Sequence, residues 1–344
     1  MINEIMTGRE RMHRTLRFDK PDRAPRDLWT LPGVKMFRQD ELRAMLDRYP
    51  LDIDHPQMAA CYGRAEQARG LPGEVGDYVD EWGCGWSVAE PGVIGEVKNP
   101  PLANWKALDH LRPPWEILNG ADLSSAHTLC AESDRFIVAD TTVRPFERMQ
   151  FLRGSEQLFV DLAYGEAEVL QLRDLVHEFF LQEIEMWTRT DVDAISFMDD
   201  WGMQQSLLIS PIMWREVFKP LYADYCQLIH DAGKFAFMHS DGNIEAIYAD
   251  LIEIGVDVLN SQLFCMDIEL LGHKYQGEIT FWGEIDRQQV LPFGTPAQVK
   301  GAVRRVRRAL DKGTGGVIAQ CEWGNDVSAE NVAAVFEAWM EPLP

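Results

Sequence analysis

The chain lacks several features that would point to particular classes of protein. No apolar run in its 344 residues approaches the roughly 18 residues that a membrane-spanning helix needs, so we expect no such span. Residues 1–9 lack the basic and then apolar layout of a secretion signal, which predicts a cytoplasmic location. No apolar run is followed by a GxGxxG turn, so nothing in the sequence indicates a dinucleotide-binding site.

Basic residues are scarce as well. The chain has 33 Lys and Arg against 55 Asp and Glu, which gives a formal charge of −22. Nucleic acids and anionic membranes are bound by basic surfaces, so this balance argues against both as partners. The six cysteines are scattered without a CxxC pair. In a cytosolic chain, this pattern predicts free thiols that are mostly buried.

The order of patterns predicts the fold. Short apolar runs alternate with segments of helical spacing, and such alternation indicates parallel strands with helical crossovers. A count of about eight strands, with polar residues just after each, favours a (β/α)₈ TIM barrel over a doubly wound open sheet. We therefore expect one barrel domain over 1–344, with strands at 24–29, 51–54, 136–139, 194–198, 235–239, 256–259, 279–282 and 317–320.

One segment departs from this alternation. Residues 61–104 are dense in Gly and aromatic residues and read as a hairpin excursion. We expect this hairpin-rich insertion to form a lid or a wall of the pocket.

The residues that follow the predicted strands identify a candidate site. In a barrel these residues converge at the C-terminal face, whatever their separation in sequence. His239, Asp241 and Cys321 offer the donor types of a catalytic zinc site with one position left open. A single His or Cys at a strand end is more often structural, so the zinc interpretation depends on all three meeting at one centre.

Other polar and aromatic residues follow the same strands, with hardly any basic residues among them. Asp199, Asp200 and Glu284 are candidate catalytic groups, although acidic residues at a barrel mouth often only cap helices or pair with Arg. The candidate substrate-binding residues are Asn260, Trp201, Trp282 and Trp323, and packing is the common alternative role for each Trp.

Runs within 151–344 resemble the uroporphyrinogen decarboxylase superfamily, which includes cobalamin-linked methyltransferases. The matching runs include Phe-Met-Asp-Asp-Trp-Gly at 197–202, Leu-Ile-Ser-Pro at 208–211, His-Ser-Asp-Gly-Asn at 239–243, Leu-Pro-Phe-Gly-Thr-Pro at 291–296 and Glu-Asn at 330–331. The first 150 residues match only loosely. This resemblance implies a (β/α)₈ barrel, in agreement with the pattern.

The superfamily contains two chemistries, and the resemblance favours one of them. The decarboxylases carry an Arg-containing run after the first strand that holds the substrate's carboxylates, and this run is missing here. The methyltransferases carry zinc on His-x-Cys and a distant Cys. His239 and Cys321 match two of those positions, and Asp241 stands where the middle Cys would be. A hard oxygen in place of a soft sulfur makes a thiol substrate less certain.

The resemblance therefore implies a zinc-dependent methyltransferase that moves a methyl group between a small substrate and a corrinoid protein. The methylcobalamin would be carried by that partner. Two alternatives remain at this point: a metal-free lyase acting on a carboxylic acid, as the decarboxylases do, and a non-catalytic barrel that binds an aromatic ligand.

Overall fold

Eight parallel strands form the centre of the structure. The computed structural model describes residues 5–93 and 95–343. The predicted barrel is confirmed, with strands β1 (Arg26–Thr30), β2 (Ile53–Asp54), β6 (Phe136–Asp140), β7 (Ala194–Met198), β8 (Phe235–Ser240), β9 (Val258–Ser261), β10 (Thr280–Trp282) and β11 (Val317–Trp323). These strands pair in the order β1-β11-β10-β9-β8-β7-β6-β2. The gap between the two ends is bridged where the amide of Asp52 donates to the carbonyl of Arg26 at 2.9 Å.

Alternation along each strand divides the apolar side chains into two clusters. Successive side chains of a strand point to opposite faces of the sheet. Phe237 and Ile318 belong to the cluster that fills the barrel, whereas their neighbours Met238 and Ala319 belong to the larger cluster under the helices. Strands buried on both faces read as continuous apolar runs, which is why these segments lack a polar face.

The helices surround the barrel, and several begin as the sequence dictates. Ser210 caps the helix that starts at Pro211, with its hydroxyl accepting from the amide of Met213. The helices are α1 (Gly8–Leu16), α2 (Pro32–Phe37), α3 (Gln39–Arg48), α4 (Met58–Cys61), α5 (Trp115–Asn119), α6 (Ser124–Glu132), α7 (Pro145–Arg153), α8 (Ser155–Tyr164), α9 (Ala167–Thr188), α10 (Pro211–Val217), α11 (Lys219–Asp231), α12 (Tyr248–Glu253), α13 (Ile268–Tyr275), α14 (Val290–Phe293), α15 (Pro296–Leu310) and α16 (Ala329–Trp339). Within the described ranges, no helix combines the length and the apolar character needed to cross a membrane.

Helix α1 closes the N-terminal end of the barrel. Met12 and Leu16 belong to the interior cluster. Two backbone hydrogen bonds tie α1 to the starts of strands: the amide of Arg9 donates to Asp134 and that of Gly316 donates to Thr15. The opposite, C-terminal end is therefore the open one.

The excursion forms a small antiparallel sheet beside the barrel. Its strands are β3 (Gly76–Val79), β4 (Gly85–Val88) and β5 (Glu96–Asn99), in that order. Trp86 packs edge-on against Phe151 of α7, with ring centroids 4.8 Å apart. The Arg148 guanidinium of the same helix pairs with Asp80 at 2.8 Å. The excursion is thus anchored on α7 and next to the barrel mouth.

Candidate functional site

A cavity of about 660 Å³ opens at the C-terminal ends of the strands. Its wall includes Trp29 from β1, Asp140 from β6, His239 from β8 and Glu322 from β11, together with His55 from the loop after β2. The volume lies within the range typical of small-molecule sites. This position is the expected one for the active site of a barrel enzyme.

A hydrogen-bond chain orients His239 at the base of this cavity. Its Nδ1 lies 2.6 Å from Oδ1 of Asn260. The Nδ2 of Asn260 donates to the carbonyl of Trp282 at 2.6 Å, which fixes the amide with its oxygen toward the imidazole. Nδ1 therefore carries a proton, and Nε2 is the ring nitrogen that faces away from Asn260 and is placed to bind a metal.

Two carboxylates face Nε2 of His239. The distance is 3.4 Å to Oδ1 of Asp241 and 3.6 Å to Oδ1 of Asp200. All three ligand atoms lie within 4.8 Å of one another. Tetrahedral bonds of about 2.0 Å to a zinc-sized cation place ligand atoms roughly 3.3 Å apart, which is close to the two distances measured from Nε2.

The electrostatics of the trio agree with a cation site. Oδ1 of Asp241 is buried and has no hydrogen-bond donor apart from the imidazole. Burial lowers the pKa of His239, but the hydrogen bond with Asp241 and the charge of Asp200 outweigh it and raise the pKa to about 9. The carboxylates thus attract positive charge to this point, and a metal ion would compete with the proton for Nε2.

Backbone packing holds the two carboxylates side by side. The loops after β7 and β8 touch at Gly202 and Gly242, where the amide of Gly202 donates to the carbonyl of Asp241 at 3.0 Å. Gly242 has φ +77°, and a Cβ built on it would lie 2.2 Å from the carbonyl carbon of Gly202. Only glycine permits this approach, so the turn after His239 is part of the site.

The group does not include the sulfur of Cys321, and its third ligand atom comes from Asp200. Cys321 lies in the cluster under the helices together with Ala319, whereas Glu322 faces the cavity. The thiol is fully buried, and burial raises its pKa, so it stays protonated. Of the predicted ligands, His239 and Asp241 lie together with Asp200, and Cys321 lies outside this group of described residues.

The predicted scarcity of basic residues at the site is also corrected. Arg287, in the loop after β10, is hydrogen-bonded to Oδ2 of Asp241 and to Glu322, the latter at 2.9 Å. Its Nε lies 3.6 Å from Glu284. Burial raises the pKa of Glu284 to about 8 even though Arg287 opposes the shift. Burial thus favours the protonated form of Glu284, one of the predicted catalytic groups.

The surroundings of Asp199 indicate a structural role. It is fully buried and accepts hydrogen bonds from the amides of Phe146 and Glu147, each at 2.8 Å, and from the hydroxyl of Tyr222. These bonds cap the start of α7, which is the alternative that the sequence left open for this acidic pair.

The predicted tryptophans lie behind the cavity wall. Trp201 and Trp323 are fully buried, and their indole N–H groups donate to Tyr222 and to the carbonyl of Val327. Trp282 is also buried and packs against Trp29, with ring centroids 5.1 Å apart. The aromatic wall is formed by Trp29, whose ring lies 5.1 Å from that of His239. Asn260 likewise contacts His239 and is a positioning residue.

A second wall of the cavity carries cationic groups that the sequence did not reveal. His55 lies 3.0 Å from Asp140, and Lys35 and Arg144 line the same cavity. Burial lowers the pKa of His55, but Asp140 outweighs it and raises the pKa to about 9. His55 follows the short run 51–54, so its place after a strand was the signal that could have found it.

None of the described residues of 61–104 lines this cavity. The turn at Gly92 instead packs on Gly33 of α2, at the rim. The segment lies beside the mouth of the barrel, and its predicted role as a lid stays a prediction.

Comparisons with known proteins bear on the family and the fold. A family model described as uroporphyrinogen decarboxylase (URO-D) matches residues 79–341. No curated protein matches the sequence.

Among solved structures, a methyltransferase from Methanosarcina mazei is similar with a TM-score of 0.71 and 14% identity, covering 97% of this chain and 98% of that chain. A glycosylated endo-β-1,4-xylanase from Gloeophyllum trabeum has a TM-score of 0.48 and 10% identity, covering 95% and 99%. At 14% identity the methyltransferase likeness shows the barrel fold alone.

Proposed function

The chain belongs to the uroporphyrinogen decarboxylase (URO-D) family, and on this premise we propose that it is a metal-dependent methyltransferase. It would move a methyl group between a small substrate and a corrinoid carried by a separate protein. The observation that carries the proposal is the group formed by Asp200, His239 and Asp241, of which His239 lines the cavity of about 660 Å³.

Asp200, His239 and Asp241 would bind the metal, and neighbouring residues would serve the substrate. Nε2 of His239 and one oxygen each of Asp200 and Asp241 would hold a zinc ion with one position open to substrate. When bound, zinc would act as a Lewis acid that lowers the pKa of a substrate thiol or hydroxyl. Trp29 would pack against the substrate and exclude water, and Glu284 would hold a proton near the site.

A partner protein would bring the methylcobalamin, which would supply or accept the methyl group. The rim offers an apolar surface for such a partner: the exposed fractions are 38% for Leu31, 49% for Met36, 67% for Phe37 and 39% for Val93. The first three follow β1, and Val93 is next to Gly92, which packs on α2. Exposed apolar patches of this kind are typical of protein interfaces.

Metal analysis of the purified protein is the first test. We expect about one zinc per chain, lost in His239→Ala and Asp241→Asn and retained in His177→Ala. His177 is a matched control because it pairs with Asp224, outside the trio. A wild-type protein that binds no divalent cation would end the proposal.

Methyl transfer is the second test. With zinc bound, we expect candidate thiols or alcohols to convert methylcobalamin to cob(I)alamin, followed by its absorbance. Cleavage that proceeds equally well in His239→Ala would mean that the trio does not activate the substrate.

The cationic wall favours a second candidate, a lyase acting on a small carboxylic acid. His55, Arg144 and Lys35 could bind a carboxylate in the cavity without a metal. Release of carbon dioxide by metal-free protein, reduced in Arg144→Gln, would support this activity over methyl transfer.

A further inference from the structure

Arg287 joins carboxylates from the ends of three strands. Its guanidinium contacts Asp241 after β8, Glu284 after β10 and Glu322 within β11. The side chain is only 22% exposed, so these ion pairs are partly shielded from solvent. A guanidinium is planar and has five N–H donors, so it orients carboxylates through hydrogen bonds as well as attracting them by its charge.

The contact with Arg287 gives the two oxygens of the Asp241 carboxylate different partners. Oδ2 is hydrogen-bonded to Arg287, and Oδ1 faces Nε2 of His239 at 3.4 Å. Asp241 can therefore offer one oxygen to a metal ion and not two. Glu322 is held in the same way, through Oε1 at 2.9 Å from Arg287.

The number of available oxygens decides which ion a site prefers. Zinc accepts four ligands, including nitrogen, whereas manganese prefers more oxygen ligands in an octahedral arrangement. With Arg287 in place, the site presents Nε2 of His239, one oxygen of Asp241 and the carboxylate of Asp200. Without the guanidinium, the second oxygen of Asp241 and the carboxylates of Glu284 and Glu322 would be released next to the ion.

We propose that Arg287 is a positioning residue that sets the metal selectivity of this site by keeping Asp241 monodentate and by withholding Glu284 and Glu322. The proposal rests on the metal centre of the proposed function. It assigns to Arg287 a role that differs from ligation, since the guanidinium never contacts the ion.

The test compares Zn²⁺ and Mn²⁺ binding in the wild type and in Arg287→Gln. Zinc affinity is measured by competition with a chromophoric chelator, and manganese affinity by the electron paramagnetic resonance signal of the free ion. We expect zinc affinity to fall about 10- to 100-fold in the variant, as for other residues that orient ligands. Manganese affinity should rise, so the ratio of the two affinities should fall by more than the zinc affinity alone.

Arg305→Gln is the matched control. Arg305 forms two hydrogen bonds to Glu269 at 2.8 and 2.6 Å on the outer surface, so its loss should leave both affinities unchanged. Arg287→Lys keeps the charge without the fork and should fall between the wild type and the Gln variant. Arg287→Lys replaces Arg287→Gln in the comparison if the Gln variant does not fold.

The outcomes separate this proposal from the one it rests on. A wild type that binds neither ion refutes the metal centre itself. A wild type that binds zinc, with Arg287 variants that lose zinc and manganese equally or lose neither, overturns the selectivity role of Arg287 and leaves the metal centre standing.

Discussion

Replacing Asn260 by Ala should weaken metal binding without removing a metal ligand. Asn260 is buried and joins Nδ1 of His239 to the carbonyl of Trp282. Without the amide, the imidazole loses the acceptor that fixes both its tautomer and its ring orientation. Nε2 is then no longer held toward Asp200 and Asp241.

The magnitude follows from these contacts. Loss of a group that orients a metal-binding His costs about 10- to 100-fold in affinity, which corresponds to about 1.4–2.7 kcal/mol. Stability should fall too, because two hydrogen bonds are lost and two buried polar atoms remain unpaired, for a total of about 2–4 kcal/mol. Both quantities must therefore be measured, by chelator competition for zinc and by urea unfolding.

Two variants distinguish a loss of the orientation of His239 from a general loss of stability. Asn331→Ala removes another buried Asn, whose Nδ2 donates to the carbonyls of Leu291 and Gly294 at 2.8 Å each. It should destabilise the fold similarly and leave zinc affinity intact. Asn260→Asp keeps an oxygen toward Nδ1 and should restore most of the affinity. If Asn260→Ala loses stability but binds zinc as the wild type does, then Asn260 does not position His239 for metal binding.

Three further outcomes follow from the structure. Cys321→Ala should keep wild-type zinc content by elemental analysis, because the thiol faces the helices, and loss of zinc would contradict that orientation. Asp199→Ala should lower the free energy of unfolding in urea by about 3–5 kcal/mol, because three donors, two of them buried, lose their acceptor; an unchanged stability would exclude the capping role. Burial raises the pKa of Asp22, but hydrogen bonds from Arg11 and from backbone amides outweigh it and lower the pKa from 3.8 to about 2. The ionised Asp22 therefore contributes stability that is complete above about pH 4 and is lost as the pH falls toward 2. Asp22→Asn should flatten this part of the stability profile, and an identical profile would refute the ion pair.

The sequence predicted the fold well because its signals are local and repeated. Each predicted strand overlaps an observed one, since apolar runs bounded by Gly and helix starts leave little choice of element. The ends of strands were less predictable. Residues 317–320 were expected as a strand, and β11 continues to Trp323. Pairing with β1, which sets Leu28 beside Cys321 and Thr30 beside Trp323, extends the strand across polar residues.

The site was predictable where residues follow a strand and less so where they come from loops. His239 and Asp241 end one apolar run and can be found from it. Arg287 lies three residues after Glu284 in a loop without regular structure, and its contacts depend on how that loop folds back over three strands. Trp29 is the last bulky residue of β1, and only the closure of the barrel brings it next to His239.

Cys321 and Glu322 are adjacent in the sequence, and which of the two faces the cavity decides the chemistry of the proposed metal centre. A strand that continues through both must send their side chains to opposite faces. Ile318 faces the barrel interior, so alternation places Glu322 on that face and Cys321 on the other. The donors left at the mouth are then one nitrogen and carboxylate oxygens, which make a harder centre than a thiolate site. If the proposed metal is bound there, this centre would favour an oxygen donor from the substrate, and a hydroxyl or ether oxygen would meet that requirement better than a thiol.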